Sequence, residues 1–375
     1  MLRTAFRNAP GTINRSRPMI ETAVKRQKMA GPLIGTHNGH FHADEALAVN
    51  MLRLLPAYAG SPLVRTRDPT LLKDCHTVVD VGGQYDPSIK RFDHHQREFT
   101  TTFPGRKTKL SSAGLVYMHF GKSIIAQHIG LPEDSDEVSR LYQKMYVDFI
   151  EAFDGNDNGI SPYDTTELDK SGIMKRYNDG GFSVAAVVSA YNYGRSDTTS
   201  STIPQTPEQL QAEEDQRFLR ASDFVGDLFS LKLADFWQAW LPAQSIVRKA
   251  FLERKQYDEE GRILVLPHRD GGLPWQEHLF DVEKEEGVTG QVLYTLFPEN
   301  GDKDSKWRIR AVSRSAEGFE LRKPLPEKWR GVRDDDLAKV TGIDGAVFVH
   351  VSGFIGGNKT FEGTLKMAQQ SLTML

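Results

Sequence analysis

The sequence has almost no cysteine. Cys75 is the only one in 375 residues, which excludes an internal disulfide, a cysteine-based zinc site and an iron–sulfur cluster. The chain therefore tolerates a reducing compartment. It also lacks a long hydrophobic run. No apolar stretch approaches the ~20 residues that cross a bilayer, so neither a transmembrane helix nor a membrane partner is expected. A dominant charge is missing as well. Lysine and arginine number 47 against 50 aspartates and glutamates, a formal net charge of −3, so any polyanion must be held by a local basic patch. What is left is the composition of an ordinary globular protein, and 375 residues suffice for two domains with a core each.

Ligand-type side chains are plentiful where the sequence predicts strand ends. His37, His40, His42 and Asp44 fall within eight residues of Gly35–Ala46, with Gly39 as a turn residue among them. The apolar Pro32-Leu33-Ile34 predicts a short buried strand delivering His37, then a tight loop, then a helix from near Asp44 that buries Leu47, Val49, Leu52 and Leu55. A β-branched strand, Thr77 onward, ends in Asp80, and Arg91-Phe92 leads into Asp93-His94-His95. Ser111 or Ser112 caps a helix that Gly130 closes, and a longer helix from about Asp134 to Phe153 ends in a loop holding Asp154 and Asp157. Strands alternating with helices imply an α/β fold with a parallel sheet covered on both faces, whose strand ends share one crevice. Imidazoles and carboxylates in that number suit two divalent ions, Mn²⁺, Fe²⁺ or Zn²⁺, about 3.5–4 Å apart, which activate a water and clamp a phosphoryl group; Asp80 is the choice for the carboxylate between them. Each segment has a plainer reading, as a strand-ending turn, a loop cap or a surface pair. Their succession in the order an α/β sheet would use them favours the metal reading.

Residues 1–30 carry Arg3, Arg7, Arg15, Arg17, Lys25, Arg26 and Lys28 against the single acid Glu21, the composition of a mitochondrial transit peptide. A mitochondrial matrix address is favoured. A nuclear form stays open, because Lys25-Arg26-Gln27-Lys28 resembles an import signal and Met29 offers a second start. Residues 195–207 read as a linker, and 208–256 as two helices broken near Pro242. From Ile263 the pattern turns to strands, including 292–297, 307–312 and 346–351, before a final helix over about 361–372. Residues 301–333 hold ten Lys/Arg, Arg308 and Arg310 among them, against five acids, with Trp307, Phe319 and Trp329 interleaved. That suits a single nucleic-acid strand, although a solvated strand around a core tryptophan gives the same pattern. Ser352–Lys359, with Gly356, Gly357 and Lys359, could form a backbone nest for phosphate or a plain glycine turn.

Taken together, Gly35-Thr-His-Asn-Gly39, Phe41-His-Ala-Asp-Glu-Ala46, Val64-Arg-Thr-Arg-Asp68, Val79-Asp-Val-Gly-Gly83, Phe92-Asp-His-His-Gln96, Asp154, Asp157-Asn-Gly-Ile160 and Val351–Gly357 resemble the melanocyte-proliferating-gene (Myg) exonuclease family of the DHH phosphoesterase superfamily. The resemblance covers about residues 31–375. It implies a DHH catalytic domain at 31–195, a linker and helical connector at 196–258, and a smaller α+β substrate domain at 259–375. It further implies His37, His42, Asp44, Asp80, His94 and Asp154 as ligands of two Mn²⁺ ions, with Asp93 orienting and His95 facing the scissile phosphate. Two departures stand out. His42 occupies a position where the superfamily usually has a carboxylate, and Asn358 follows Gly356-Gly357 where a histidine is common. The implied activity is 3′–5′ cleavage of single-stranded RNA. A small phosphodiester or pyrophosphate substrate, or a scaffold role without catalysis, are the alternatives; the sequence leaves the oligomeric state open.

Overall fold

Two five-stranded sheets organise the chain in the computed structural model, which describes residues 31–193, 206–316 and 318–374. The expected leader at 1–30 and most of the expected linker lie outside the described residues. Strands β1 (Ile34–Thr36), β2 (Leu63–Arg65), β3 (Thr77–Val79), β4 (Tyr85–Asp86) and β5 (Arg91–Phe92) form the first sheet in the order β2-β1-β3-β5-β4. All its pairings are parallel except β4 with β5.

Alternation along the strands assigns the two faces. Ile34, Val79 and Phe92 enter the main core with helices α1 (Ala43–Leu54) and α3 (Ser112–Ile129). Val78 points the other way, into a small cluster with Leu72 and Cys75 beside α2 (Pro69–Lys73). Gly35 is required there, since a Cβ would stand 2.8 Å from Cys75 Sγ. The second face is thus covered more thinly than the sequence pattern suggests.

The long helix expected from Asp134 is present in three pieces. It runs as α4 (Asp136–Met145), a π-helical turn (Tyr146–Ile150) and α5 (Glu151–Asp157) without leaving helical geometry. Short helices α6 (Thr165–Ser171) and α7 (Val184–Tyr191) follow. The connector behaves alike, with α8 (Pro207–Asp235), a π-helical turn at Phe236–Trp240 and α9 (Leu241–Glu253). The break expected near Pro242 falls one turn earlier. Proline is tolerated in the first turn of α9, and the widened turn before it absorbs the irregularity.

The second sheet is mostly antiparallel, in the order β6-β7-β8-β10-β9, with β6 (Ile263–Val265), β7 (Tyr294–Pro298), β8 (Trp307–Ala311), β9 (Ala346–Val349) and β10 (Ile355–Asn358). Ile309, Leu296 and Val349 turn inward onto Trp329 and Met367, on the side of α11 (Asp334–Thr341) and α12 (Phe361–Thr373). α10 (Gln276–Glu285) packs with α9 in a separate apolar cluster around Trp275 and Leu279. One expectation is corrected here. Gly356 and Gly357 form no nest; they run extended in β10 between β8 and β9, with their backbones opposite Ile309 and Arg308. Among the described residues no helix is long and apolar enough to cross a membrane. The fold is a mixed α/β one.

Candidate metal centre

The strand ends of the first sheet converge as their pairing dictates. β1, β3 and β5 lie side by side and parallel, so His37, Asp80 and Asp93-His94 emerge at one edge. α1 starts at the same edge and brings Asp44 and Glu45 in its first turn, where carboxylates also suit the positive end of the helix. The C-terminal turn of α5 supplies Asp157. These elements surround a cleft of about 580 Å³ lined by His37, His42, Arg67, Asp80, Asp93, His95 and Asp157 among others.

Asp80 is central. It sits at φ +57, a left-handed conformation that few non-glycine residues adopt, and Gly82 and Gly83 continue the turn with positive φ. Its Oδ2 lies 3.4 Å from His37 Nε2, and its Oδ1 lies 3.4 Å from His94 Nε2 and 3.6 Å from His95 Nδ1. His37 Nε2 is also 3.1 Å from Glu45 Oε1, and His94 Nε2 is 2.8 Å from Asp157 Oδ2. Three groups have ligand atoms close enough for one ion: His37, His42, Glu45 and Asp80; Asp80, His94 and His95; and His42, Asp44 and Asp157.

The chemistry of this donor set fits divalent cations. Both carboxylate oxygens of the buried Asp44, and Oε2 of the buried Glu45, have no hydrogen-bond partner among the described residues. A carboxylate left so costs several kcal/mol unless a cation approaches it. Burial, and then the charges of Asp80, Asp157 and Glu45, push the Asp44 carboxyl well above the usual range. Burial opposes a charge on His37, but Asp80 and Glu45 outweigh it and push the imidazole up to about 10. His94 rises to about 9 in the same way, burial being overcome by Asp157 and Asp80. The excess of carboxylate that favours a proton on these rings favours a metal ion as well. Asp80 itself stays ionised against its burial, because His37 and His94 hold its carboxyl far below the ordinary value.

Asp93 faces the cleft wall. Its Oδ2 accepts from Gly83 N at 2.6 Å, and its Oδ1 accepts from His95 N at 3.1 Å and lies 2.7 Å from His95 Nδ1. An ionised carboxylate only accepts, so the proton of that pair resides on Nδ1 and His95 Nε2 is free for another partner. The His95 side chain is 60% exposed at the cleft.

The predicted residues do not all meet. His37, His42, Asp44, Asp80, Asp93, His94 and His95 come together. Asp154 does not. Its Oδ1 accepts from Ser111 N and Oγ, both at 2.8 Å, and its Oδ2 accepts from Tyr146 OH at 2.7 Å. Asp157, one turn on, is the acid of this helix end that lines the cleft, 2.8 Å from His94 Nε2. Glu45, Arg67 and Ser112, whose Oγ donates to Asp80 Oδ1 at 3.1 Å, are the residues that sequence reasoning left out of the site. Glu45 carries a signal as the acid beside Asp44, and Arg67 lies within the Val64–Asp68 motif without an assigned role; Ser112 reads only as a helix cap.

Arg308, Arg310, Gly356, Gly357 and Lys359 line no part of the cleft. Arg308 pairs with Glu299 and stacks on Phe348 at 4.9 Å, Arg310 approaches Trp275 at 5.7 Å, and Lys359 is exposed. Arg308, Lys306, Arg333 and His350 instead surround a separate cavity of about 560 Å³. Asn358 is buried, its Nδ2 donating to Asp344 O at 2.9 Å and its Oδ1 accepting from Thr360 N at 2.9 Å, so it ties β10 to the cap of α12.

The MYG1 exonuclease family profile, described as an uncharacterised protein family (UPF0160), matches residues 33–372. A MYG1 exonuclease of Mus musculus is 42% identical over 353 residues, covering 92% of this chain and 86% of its own. A MYG1 exonuclease of Homo sapiens is 43% identical over 353 residues, with the same coverage. A MYG1 protein of Schizosaccharomyces pombe is 43% identical over 347 residues, 90% of this chain and 97% of its own. Among solved structures, a pGpG-specific phosphodiesterase from Vibrio cholerae aligns over 91% of this chain and 98% of its own at 10% identity, with a TM-score of 0.24 that carries no argument.

Proposed function

This chain belongs to the MYG1 exonuclease family, and on that premise we propose that it is a metal-dependent phosphodiesterase, a 3′–5′ exonuclease acting on single-stranded RNA. The observation that carries the metal part is Asp80, whose Oδ2 faces His37 in the group with His42 and Glu45 while its Oδ1 faces His94, itself against Asp157. A carboxylate between two such groups is what a pair of ions needs. His37, His42, Asp44, Asp80 and His94 would hold them, with Asp157 and Glu45 added and Asp154 removed. Divalent ions, Mn²⁺ first, would lower the pKa of a water toward neutrality and offset charge on the phosphate.

The chain's own groups do the rest. Asp93, anchored by Gly83 N–H, fixes the tautomer of His95 and aims Nε2 at a phosphate or leaving-group oxygen. Arg67, on the same wall, offers a fixed positive charge to a neighbouring phosphate. Arg308 with Lys306 and Arg333 would hold the strand further from its cut end, in keeping with a DHH-type catalytic half joined to a substrate-holding half. The Arg/Lys-rich residues 1–30 support a mitochondrial matrix address, with a nuclear form from Met29; imaging chains with and without residues 1–28 tests it.

The test of the reaction is hydrolysis of 5′-labelled single-stranded RNA by metal-stripped protein, with Mn²⁺, Mg²⁺ or Zn²⁺ restored. A ladder shortening from the 3′ end in Mn²⁺ is expected, and Asp80→Asn should fold normally and lose turnover. Undiminished cleavage by Asp80→Asn would remove the metal reading. A second reading has the size of the cleft in its favour, because about 580 Å³ admits a dinucleotide. Cleavage independent of oligonucleotide length would select it.

A further inference from the structure

The loop that carries His37 and His42 is gripped from outside at two alternate residues. At Gly39, Glu214 of α8 accepts the backbone N–H through Oε1 at 2.6 Å, while Arg65 donates from Nη2 to the carbonyl at 2.7 Å. The grip is closed on itself, since Arg65 Nη1 donates to the same Glu214 Oε1 at 2.8 Å and lies 3.3 Å from Asp215 Oδ1. The Arg65 side chain has no solvent exposure, and its guanidinium packs against the touching rings of Phe41, at 5.3 Å, and Phe218, at 4.8 Å. At Phe41, the side chain of Asn192, which ends α7, does the same work alone. Its Oδ1 accepts from the backbone N–H at 3.0 Å and its Nδ2 donates to the carbonyl at 2.9 Å.

We propose that Asn192 and the Arg65–Glu214 pair are positioning residues of the metal centre, setting its affinity for divalent ions without touching them. The inference rests on the metal reading of the cleft. A glycine turn at φ +83 has no conformational preference of its own to hold two imidazoles in place. With both peptide groups of Gly39 and Phe41 fixed by buried or half-buried side chains, His37 before the turn and His42 after it are held in one arrangement. Residues that orient ligands from behind are worth 10–100-fold in metal affinity. A helix far along the chain is thereby made part of the site: α8 cannot shift against α1 without moving the ligand loop.

The test is Mn²⁺ binding by calorimetry to the full chain, with melting temperatures measured beside it. Glu214→Ala and Asn192→Ala should weaken Mn²⁺ binding roughly 10–100-fold. Glu214→Gln, which keeps an acceptor for Gly39 N–H, should recover most of the loss. Ser222→Ala is the control. It removes another buried bond of α8, from Ser222 Oγ to Ala46 O at 2.7 Å, and should lower the melting temperature with Mn²⁺ affinity unchanged. Wild-type affinity in Glu214→Ala and Asn192→Ala, or an equal loss in Ser222→Ala, would overturn the positioning role. A wild-type chain that binds no divalent ion would fail the metal reading itself, and the role with it.

Discussion

At the scale of single residues, the informative pair is Asp154 and Asp157. The sequence shows two acids three apart just past an expected helix, which in the structure runs on through both, and either fits a ligand position. What separates them lies elsewhere in the chain: Ser111 and Tyr146 saturate Asp154, while Asp157 reaches His94. No local pattern announces such partners, whereas the histidines and Asp80 were legible because strand-end placement follows from periodicity alone. Asp157→Asn is accordingly expected to cut metal affinity at least tenfold, and Asp154→Asn to leave it within a few-fold while costing about 1–3 kcal/mol from a disturbed buried network. Calorimetry and thermal melts decide; metal loss in Asp154→Asn alone would reverse the assignment. Asp154 has a pH signature too. Burial pushes its carboxyl from 3.8 up to about 7, over the opposing hydrogen bonds from Ser111 and Tyr146. A carboxyl raised in the folded state contributes stability that is complete below the unfolded pKa and is lost as pH rises through the folded one. Wild type should therefore lose stability relative to Asp154→Asn between about pH 4 and 7, by at most about 4 kcal/mol at 1.36 kcal/mol per unit. Parallel pH–stability curves for the two proteins would contradict it.

At the scale of elements, strands and helices with clear periodicity were readable, and the irregular ones were not. β1, β3, α1 and α3 follow from apolar spacing and end signals. The π-helical turns at 146–150 and 236–240 do not, because a widened turn leaves the same residues helical and only shifts their phase. β10 was misread for a different reason. Gly356 and Gly357 carry turn signals, yet a central strand needs them small, because the flanking strands bring atoms to where side chains would stand. A Cβ on Gly357 would collide with Arg308 Nη1 and stand 2.9 Å from Trp307 O; the arginine can move, but the carbonyl belongs to β8 and cannot. Gly357→Ala is expected to destabilise the second sheet by about 1–3 kcal/mol in denaturant unfolding, with Mn²⁺ affinity at the first sheet unchanged. Wild-type stability in that variant would show that the strands have room to separate.

At the scale of the whole molecule, a polar crossing beside the connector helices ties the half built on the first sheet to the half built on the second. Lys144 of α4 reaches Glu277 of α10 at 2.5 Å and Asp148 at 2.6 Å, with its ammonium over the rings of Trp240 at 4.9 Å and Phe236 at 5.4 Å. Trp240 Nε1 donates to Glu277 Oε2 at 3.0 Å, and His278 Nε2 lies 2.7 Å from Trp240 O. The two ends of this crossing are unequal. Removing Glu277 orphans the indole N–H and leaves a nearly buried ammonium with Asp148 alone, whereas replacing Lys144 by methionine keeps the packing on both rings and leaves a carboxylate that water can reach. Glu277→Ala should therefore cost about 1–3 kcal/mol, and Lys144→Met less than about 1 kcal/mol. The functional consequence follows from the separation of the metal centre from the basic cavity of the second sheet. A loosened crossing leaves the ligands where they are but blurs the path between the two, so Glu277→Ala should raise KM for a long RNA strand several-fold and leave dinucleotide cleavage unchanged. Equal losses on both substrates would mean that the crossing supports the cleft itself, and an unchanged KM for the long strand would mean that the second sheet takes no part in holding it.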